Sequence, residues 1–137
     1  MGVRTRVGVA LLLASAVSGC DAGPRPGAGP LEGAWTLASG PGCANTRLKL
    51  QLLGSELVQK NNAQVTGRRT HLRHEMVGED RVRLYFKNEQ GQDGGWEFER
   101  VDETMLIPTA VSKDGDTFRP RRSDQVALEA ALIRCDA

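Results

Sequence analysis

Apolar and polar residues alternate along several short segments of this chain. In residues 81–87 every second side chain is apolar, and residues 46–53 show the same pattern with leucine. Period-two alternation predicts β-strands, because successive side chains of a strand point to opposite faces. The predicted strands are 46–53, 56–60, 69–77, 81–87, 95–101, 104–111 and 117–119. Strands at such short and even spacing favour an antiparallel barrel or sandwich over βαβ units.

Cross-strand pairs indicate a register for the central strands. Folding the third predicted strand onto the fourth sets Glu75 opposite Arg83. The next hairpin sets Arg83 opposite Glu99, and on the inner face it sets Leu84 opposite Phe98. Opposite charges then meet outside and apolar groups inside, each pair contributing about 0.2–1 kcal/mol. The predicted inward residues are Leu48, Leu50, Leu72, Val82, Leu84, Phe86, Trp96 and Phe98.

The last part of the chain combines an irregular strand, a hairpin signal and a helix-forming segment. Pro108 marks its strand as an edge or bulged strand, and Asp114-Gly115 predicts a hairpin turn. Residues 125–134 are rich in helix formers and contain no Gly or Pro. We expect one short amphipathic C-terminal helix packed on the sheet, with a terminal strand ending at Cys135 as the alternative.

A secretory signal occupies the start of the chain. Arg4 and Arg6 precede the apolar run 7–17, which is too short to cross a hydrocarbon core of about 30 Å as a helix. The following Val17-Ser18-Gly19-Cys20 resembles the bacterial lipobox. The resemblance implies cleavage before Cys20, diacylglycerol on its sulfur and an acyl chain on its new α-amino group. We therefore expect a lipid-anchored protein on the periplasmic side of the bacterial cell envelope, with inner or outer membrane left open.

The three cysteines are compatible with one lipid anchor and one disulfide. Assigning Cys20 to lipid leaves Cys43 and Cys135, and an exported domain can keep a disulfide between them. It would close a loop of about 90 residues, for which measured stabilisation is roughly 2–4 kcal/mol. Two free thiols or a redox pair are the alternatives, although the C-x-x-C spacing usual for a redox pair is absent. No standard zinc spacing joins these cysteines to the two histidines, so no metal site is predicted.

Composition divides the chain into three parts. Residues 21–30 contain Gly or Pro at six of ten positions and no large apolar side chain, which predicts a flexible tether. We expect a signal peptide over 1–19, the lipidated cysteine and linker over 20–30, and one small domain over 31–137. The formal net charge is only +1, which argues against a nucleic-acid partner.

A short motif at the start of the domain resembles a known family. Gly33-Ala34-Trp35 is similar to the lipocalin signature, Gly-x-Trp on the first strand of a small β-barrel. The expected late helix and nearby disulfide also resemble lipocalins. The resemblance implies a hydrophobic ligand in the barrel and a Trp35 that closes one barrel end; fewer or shorter strands would leave an interior filled by side chains. The candidate ligand-binding or core residues are Trp35, His74, Phe86, Trp96 and Phe98.

Catalytic motifs are scarce. The chain has no Gly-x-Ser-x-Gly elbow, His-Glu-x-x-His pair or phosphate-binding glycine loop. His71 is expected to face solvent and His74 the interior, where a hydrogen-bonded core histidine is commoner than a ligand or proton relay. The outward titratable groups suggest solvated cross-strand pairs: Glu75, Arg83, Glu97 and Glu99. We therefore predict no catalytic residues, no cofactor and no enzymatic activity.

Two classes of function fit these observations. The first is a membrane-tethered binding module for a periplasmic protein partner or a lipophilic ligand, including an inhibitor or immunity protein against a cell-wall hydrolase. The second, less favoured, is an enzyme of unrecognised type, for which His74, Glu75 and Arg100 are the candidate polar residues. A cavity in the barrel would favour ligand binding, whereas a filled interior and an unusually charged loop would favour protein inhibition.

Overall fold

One antiparallel sheet forms the domain. The computed structural model describes residues 23–40, 42–45, 48–120 and 129–135. Within these ranges two short 3-10 turns, Gly29–Leu31 and Cys43–Asn45, accompany ten strands. The strands are β1 Arg25–Pro26, β2 Gly33–Leu37, β3 Leu48–Leu53, β4 Glu56–Asn61, β5 Gln64–Val77, β6 Arg81–Lys87, β7 Asp93–Asp102, β8 Met105–Ser112, β9 Phe118–Pro120 and β10 Leu132–Arg134.

Eight of the described strands close into a barrel. Their order around it is β8–β10–β2–β3–β4–β5–β6–β7, and β7 pairs again with β8. The two remaining described strands are additions, because β1 pairs with β5 and β9 pairs with β8. The prediction of a mainly β protein built as a small antiparallel barrel is therefore confirmed.

The inner face of the barrel carries the core. The most deeply buried large apolar side chains are Leu31, Trp35, Leu57, Leu72, Val82 and Leu84, each at most 1% exposed. Most of the predicted inward residues are buried, while Leu48 and Trp96 are only partly buried. Burial of such side chains on one face of each strand is the main favourable contribution to closing the sheet.

The predicted register is right in one hairpin and wrong in the next. Glu75 lies opposite Arg83, as expected. In the β6–β7 hairpin, however, Arg83 lies opposite Glu97 and not Glu99, and Leu84 lies opposite Trp96 and not Phe98. The shift of two residues arises because β7 begins at Asp93, before its two glycines, rather than at Gly95. These glycines belong to the strand because aromatic rings occupy the space that their side chains would take: Phe86 against Gly94 and Phe118 against Gly95.

Strand β5 is longer than predicted and contains a bulge. It begins at Gln64, directly after a two-residue turn in which Asn62 and Ala63 have positive φ. Its first half pairs with β4 and its second half with β6. The register with β6 shifts between Thr70 and Arg73, and His71 within this stretch has φ 57°. Such a bulge interrupts the alternation of faces along the strand.

The C-terminal helix prediction is wrong for its last residues. Leu132–Arg134 forms β10, which is the alternative that the sequence offered. This strand pairs with β2 on one side and β8 on the other, so it completes the barrel wall. The hydrogen bonds and burial gained by closing the barrel outweigh local helix propensity, which is a weak preference. Residues 125–128, the first part of the predicted helix, lie outside the described residues.

The expected tether is partly structured. Arg25–Pro26 pairs with β5, and the Gly27 amide donates to the Leu72 carbonyl at 2.8 Å. Ala28 is 2% exposed within the core. Residues 25–30 therefore form an N-terminal strap on the barrel rather than a free linker. The signal peptide over 1–19 and the lipidation site Cys20 lie outside the described residues.

Replacing Gly29 by alanine should loosen the N-terminal strap. Gly29 has φ +57°, and an added Cβ would overlap the His74 imidazole ring. Gly54 is a matched control, because it has φ +61° but open space around an added Cβ. Both substitutions carry the left-handed backbone cost of about 1–2 kcal/mol. We expect Gly29→Ala to cost about 1–3 kcal/mol more than Gly54→Ala in denaturant unfolding, since only Gly29→Ala adds a clash. Equal losses would show that the strap does not depend on this contact.

Candidate ligand-binding site in the barrel

Trp35 closes one end of the barrel. Its indole Nε1 donates to the Leu31 carbonyl at 2.9 Å, and the guanidinium carbon of Arg134 lies 4.4 Å from its ring centroid. The Arg134 guanidinium also donates to three backbone carbonyls: Pro30 at 3.0 Å, Glu32 at 2.7 Å and Glu103 at 2.9 Å. A side chain so enclosed has a structural role, and Trp35 is the plug of this barrel end rather than a ligand contact.

A disulfide fastens the closing strand next to this plug. Cys43 and Cys135 are bonded, with Cα atoms 5.4 Å apart, inside the 4.4–6.8 Å usual for disulfides. The Cys135 amide donates to the Ala34 carbonyl at 2.7 Å, which continues the β2–β10 pairing. The predicted Cys43–Cys135 bridge is thus supported. It lies at the barrel wall and brings no further polar group to the interior.

The interior beside Trp35 is filled. A space of about 10 Å³ remains there, lined only by apolar side chains such as Leu84 and Leu106. This volume is at the limit for one water molecule, and the lining offers a water no hydrogen-bond partner. The closed end of the barrel therefore has no room for a ligand.

A larger apolar cavity lies farther from Trp35, between β3, β7, β8 and β10. Its volume is about 220 Å³, and it is open to solvent on one side. The residues that line it include Leu50, Trp96, Phe98, Pro108, Val111 and Leu132. It lies where the barrel wall is interrupted: β8 pairs with β10 only at Met105 and Leu106. The bulge predicted at Pro108 is present, since the β7–β8 register shifts between Glu97 and Phe98.

Three aromatic side chains form a continuous row on the inner face. The ring centroids of Phe86 and Trp96 are 4.8 Å apart, and those of Trp96 and Phe98 are 6.1 Å apart. Both pairs pack edge to face, an arrangement that adds to the stabilisation from burial alone. The structure therefore brings together the predicted residues Phe86, Trp96 and Phe98. Trp96 and Phe98 line the cavity, and Phe86 extends the row beyond it.

Arg69 is a functional candidate that the sequence analysis missed. It lies opposite Leu57, a fully buried core residue, and its guanidinium carbon is 5.0 Å from the Phe86 centroid and 4.7 Å from the Trp96 centroid. Its Nε atom is buried and has no hydrogen-bond partner. Burial lowers the pKa of this guanidinium, against the opposing influence of the Glu89 carboxylate. Regular alternation from Leu72 would place Arg69 outside; the bulge at His71 changes that.

The outer face of β7 is less solvated than predicted. Glu97 is 6% exposed, and its carboxylate accepts from Arg83 Nε at 2.9 Å and from Thr109 Oγ1 at 2.9 Å. The Phe118 ring lies 4.2 Å from the Arg83 guanidinium carbon and covers this pair. The prediction of a solvated cross-strand pair is therefore wrong for Glu97, because β9 packs over it. Glu97 thus accepts hydrogen bonds from both Arg83 and Thr109, and the packing of Phe118 on Arg83 attaches β9 to the barrel.

Tyr85 belongs to the same outer cluster. Its hydroxyl donates to Glu75 Oε1 at 2.7 Å, and its ring meets Phe118 edge to face at 5.7 Å between centroids. Burial and the hydrogen bond to Glu75 raise the pKa of Tyr85. A phenol whose pKa is raised stays protonated at neutral pH and acts here as a hydrogen-bond donor.

The two histidines have separate environments. His74 Nδ1 lies 3.0 Å from the Gly27 carbonyl oxygen, so the half-buried ring holds the N-terminal strap rather than entering the cavity. His71 is exposed, as expected, with Nδ1 3.0 Å from Thr70 Oγ1. In the part of the chain that the structure describes, no group of three or more His, Cys, Asp or Glu residues could hold a metal ion.

Comparisons with known proteins found no match to this chain. No protein-family model matches the chain, no curated protein matches its sequence and no solved structure matches its fold. Among the described residues, no helix is long and apolar enough to span a membrane. The fold and site themselves define the class: a closed eight-stranded antiparallel barrel with one plugged end and an apolar cavity.

Proposed function

We propose that this protein is a binding protein of the bacterial cell envelope whose barrel takes a small lipophilic ligand. The observation that carries the proposal is the apolar cavity of about 220 Å³ beside Trp96. An engineered apolar cavity of about 150 Å³ is enough to bind benzene, so a ligand of roughly six to ten heavy atoms fits this volume. Its lining supplies apolar contacts on several sides, which suits an alkyl chain or a ring.

The lipocalin resemblance supports the same function. Gly33-Ala34-Trp35 lies at the start of β2, and Trp35 is 1% exposed within the core. Because the end of the barrel beside Trp35 is filled, a ligand would reach the cavity from its own opening between β8 and β10. The proposal includes no catalysis and no cofactor. His74, the residue most suited to acid–base chemistry, is engaged with a backbone carbonyl.

Anchoring through Cys20 is the second part of the proposal. The basic start, the apolar run and Val17-Ser18-Gly19-Cys20 support it. Two acyl groups are enough for stable attachment, and a mature lipoprotein carries three. We expect the wild-type chain to incorporate labelled palmitate and to fractionate with membranes. The Cys20→Ala chain should not incorporate palmitate, and no mature form of it should be found in the membrane fraction. A Cys20→Ala chain that matures and stays in the membrane fraction would overturn the anchoring.

Ligand binding can be tested with 1-octanol as the probe. The full chain is reconstituted in phosphatidylcholine nanodiscs, and heats of 1-octanol binding are measured against empty nanodiscs. Ala130 lines the cavity two residues before Leu132, so Ala130→Leu should fill part of it and weaken binding by about tenfold or more. Ala44→Leu is the matched control, because Ala44 is exposed and away from the cavity lining. Saturable binding that Ala130→Leu weakens and Ala44→Leu does not supports the proposal; no binding by the wild-type chain refutes it.

A further inference from the structure

We infer that Arg69 is an anion receptor beside the cavity, so that the barrel selects a single-chain amphiphile with a carboxylate head. This inference rests on the proposed function and specifies its ligand class. The apolar cavity would hold the chain and the Arg69 guanidinium would pair with the carboxylate. Trp96 connects the two parts, because it lines the cavity and also lies under Arg69.

The position of Arg69 carries the first step. It is paired with Leu57 across the β4–β5 ladder, which places its side chain on the inner face. Its guanidinium carbon lies 5.0 Å from the Phe86 centroid and 4.7 Å from the Trp96 centroid. Aromatic faces attract a cation and hold its plane in place, which fixes the orientation of the guanidinium donors. Arg69 is therefore held against the aromatic rings of the inner face, and its side chain is half-buried.

The unsatisfied Nε of Arg69 carries the second step. This buried atom has no hydrogen-bond acceptor among the described residues, and the Glu89 carboxylate acts on the guanidinium only through space. By contrast, Arg68 pairs with Glu56 at 2.9 Å and Arg83 pairs with Glu97 at 2.9 Å. Arg69 is half-buried, and removing part of its charge from water costs free energy that a bound carboxylate would offset. The guanidinium fork matches a carboxylate in two parallel hydrogen bonds.

The cavity volume carries the third step. About 220 Å³ suits one short chain rather than the two chains of a phospholipid. With its carboxylate bound at Arg69, the ligand would extend its alkyl chain past the Trp96 ring. The chain would then occupy the space beside Leu50 and Leu132. A chain of about eight carbons matches this cavity volume, which makes octanoate a suitable probe.

Three eight-carbon probes test the inference in the same nanodisc assay. Octanoate, 1-octanol and octylamine share a chain and differ in the head group. We expect octanoate to bind at least tenfold more tightly than 1-octanol, and octylamine more weakly than either, because a charge-assisted hydrogen bond in a buried site contributes about that much. Arg69→Gln should abolish the preference for octanoate over 1-octanol. Arg68→Gln, the outward neighbour, should keep the preference.

The outcomes separate this inference from the proposed function. If 1-octanol binds in the cavity and octanoate binds no more tightly, the anion receptor is wrong and the binding function stands. If no probe binds, the proposed function itself is wrong. Thermal unfolding checks that Arg69→Gln is folded. Should that variant not fold, the octanoate-to-octanol ratio of the unmodified protein still decides the question.

Discussion

Trp35→Ala should lower the free energy of unfolding by about 3–5 kcal/mol, the usual cost of truncating a buried aromatic residue. Trp35 is 1% exposed, and its removal leaves a void at the closed end of the barrel. It also removes the ring against which the Arg134 guanidinium packs and the donor to the Leu31 carbonyl. A domain of this size is stable by only about 5–15 kcal/mol, so the variant should unfold at much lower denaturant concentration.

Trp35→Phe is the informative control for this prediction. It keeps an aromatic ring in the core and under Arg134 but deletes the Nε1–H donor, so a smaller loss of about 1–2 kcal/mol is expected. Urea unfolding followed by circular dichroism measures both variants with the same wild-type reference. A loss below about 1 kcal/mol for Trp35→Ala would contradict the role of Trp35 as the barrel plug.

Removing the Cys43–Cys135 disulfide should cost roughly 2–4 kcal/mol. The bridge joins residues 92 positions apart and holds β10 beside β2. The comparison is between the wild-type chain and the double variant Cys43→Ala/Cys135→Ala, which avoids free thiols. Thermal unfolding with and without reductant gives an internal check, because reductant should lower the midpoint of the wild-type chain only. Equal midpoints for both chains, or two thiols that label in the native unreduced protein, would contradict the bridge.

Alternation along the strands predicted the barrel walls but not their irregularities. The bounds of β6 follow from the alternation of residues 81–87, because one face is buried and the other carries charge. The predicted register of β7 was wrong because Gly94 and Gly95 suggested a loop. In the structure both glycines belong to the strand and leave space for aromatic rings that pack against the sheet. Whether a glycine ends a strand or admits a neighbour depends on residues distant in sequence.

The candidate site shows the same limit. Phe86, Trp96 and Phe98 were predictable as inward residues, since each alternates with a charged, polar or small side chain along its strand. Arg69 was not, because its inward position depends on the bulge at His71, whose φ of 57° has no signature in the sequence. A regular strand would have placed this arginine on the outer face, where a charged side chain is solvated.

The closing strand β10 sets the order in which this protein can fold. β10 follows every other described barrel strand in the sequence, yet its partner β2 is the first of them. The ladder between them spans roughly 100 residues of chain, and contacts of such separation form slowly because the intervening loop must be closed first. Trp35 cannot be covered by Arg134, nor Cys43 joined to Cys135, until the chain is available through residue 135. A partly synthesised chain therefore has no closed barrel, and neither the disulfide nor the cover over Trp35 can stabilise it before synthesis passes residue 135.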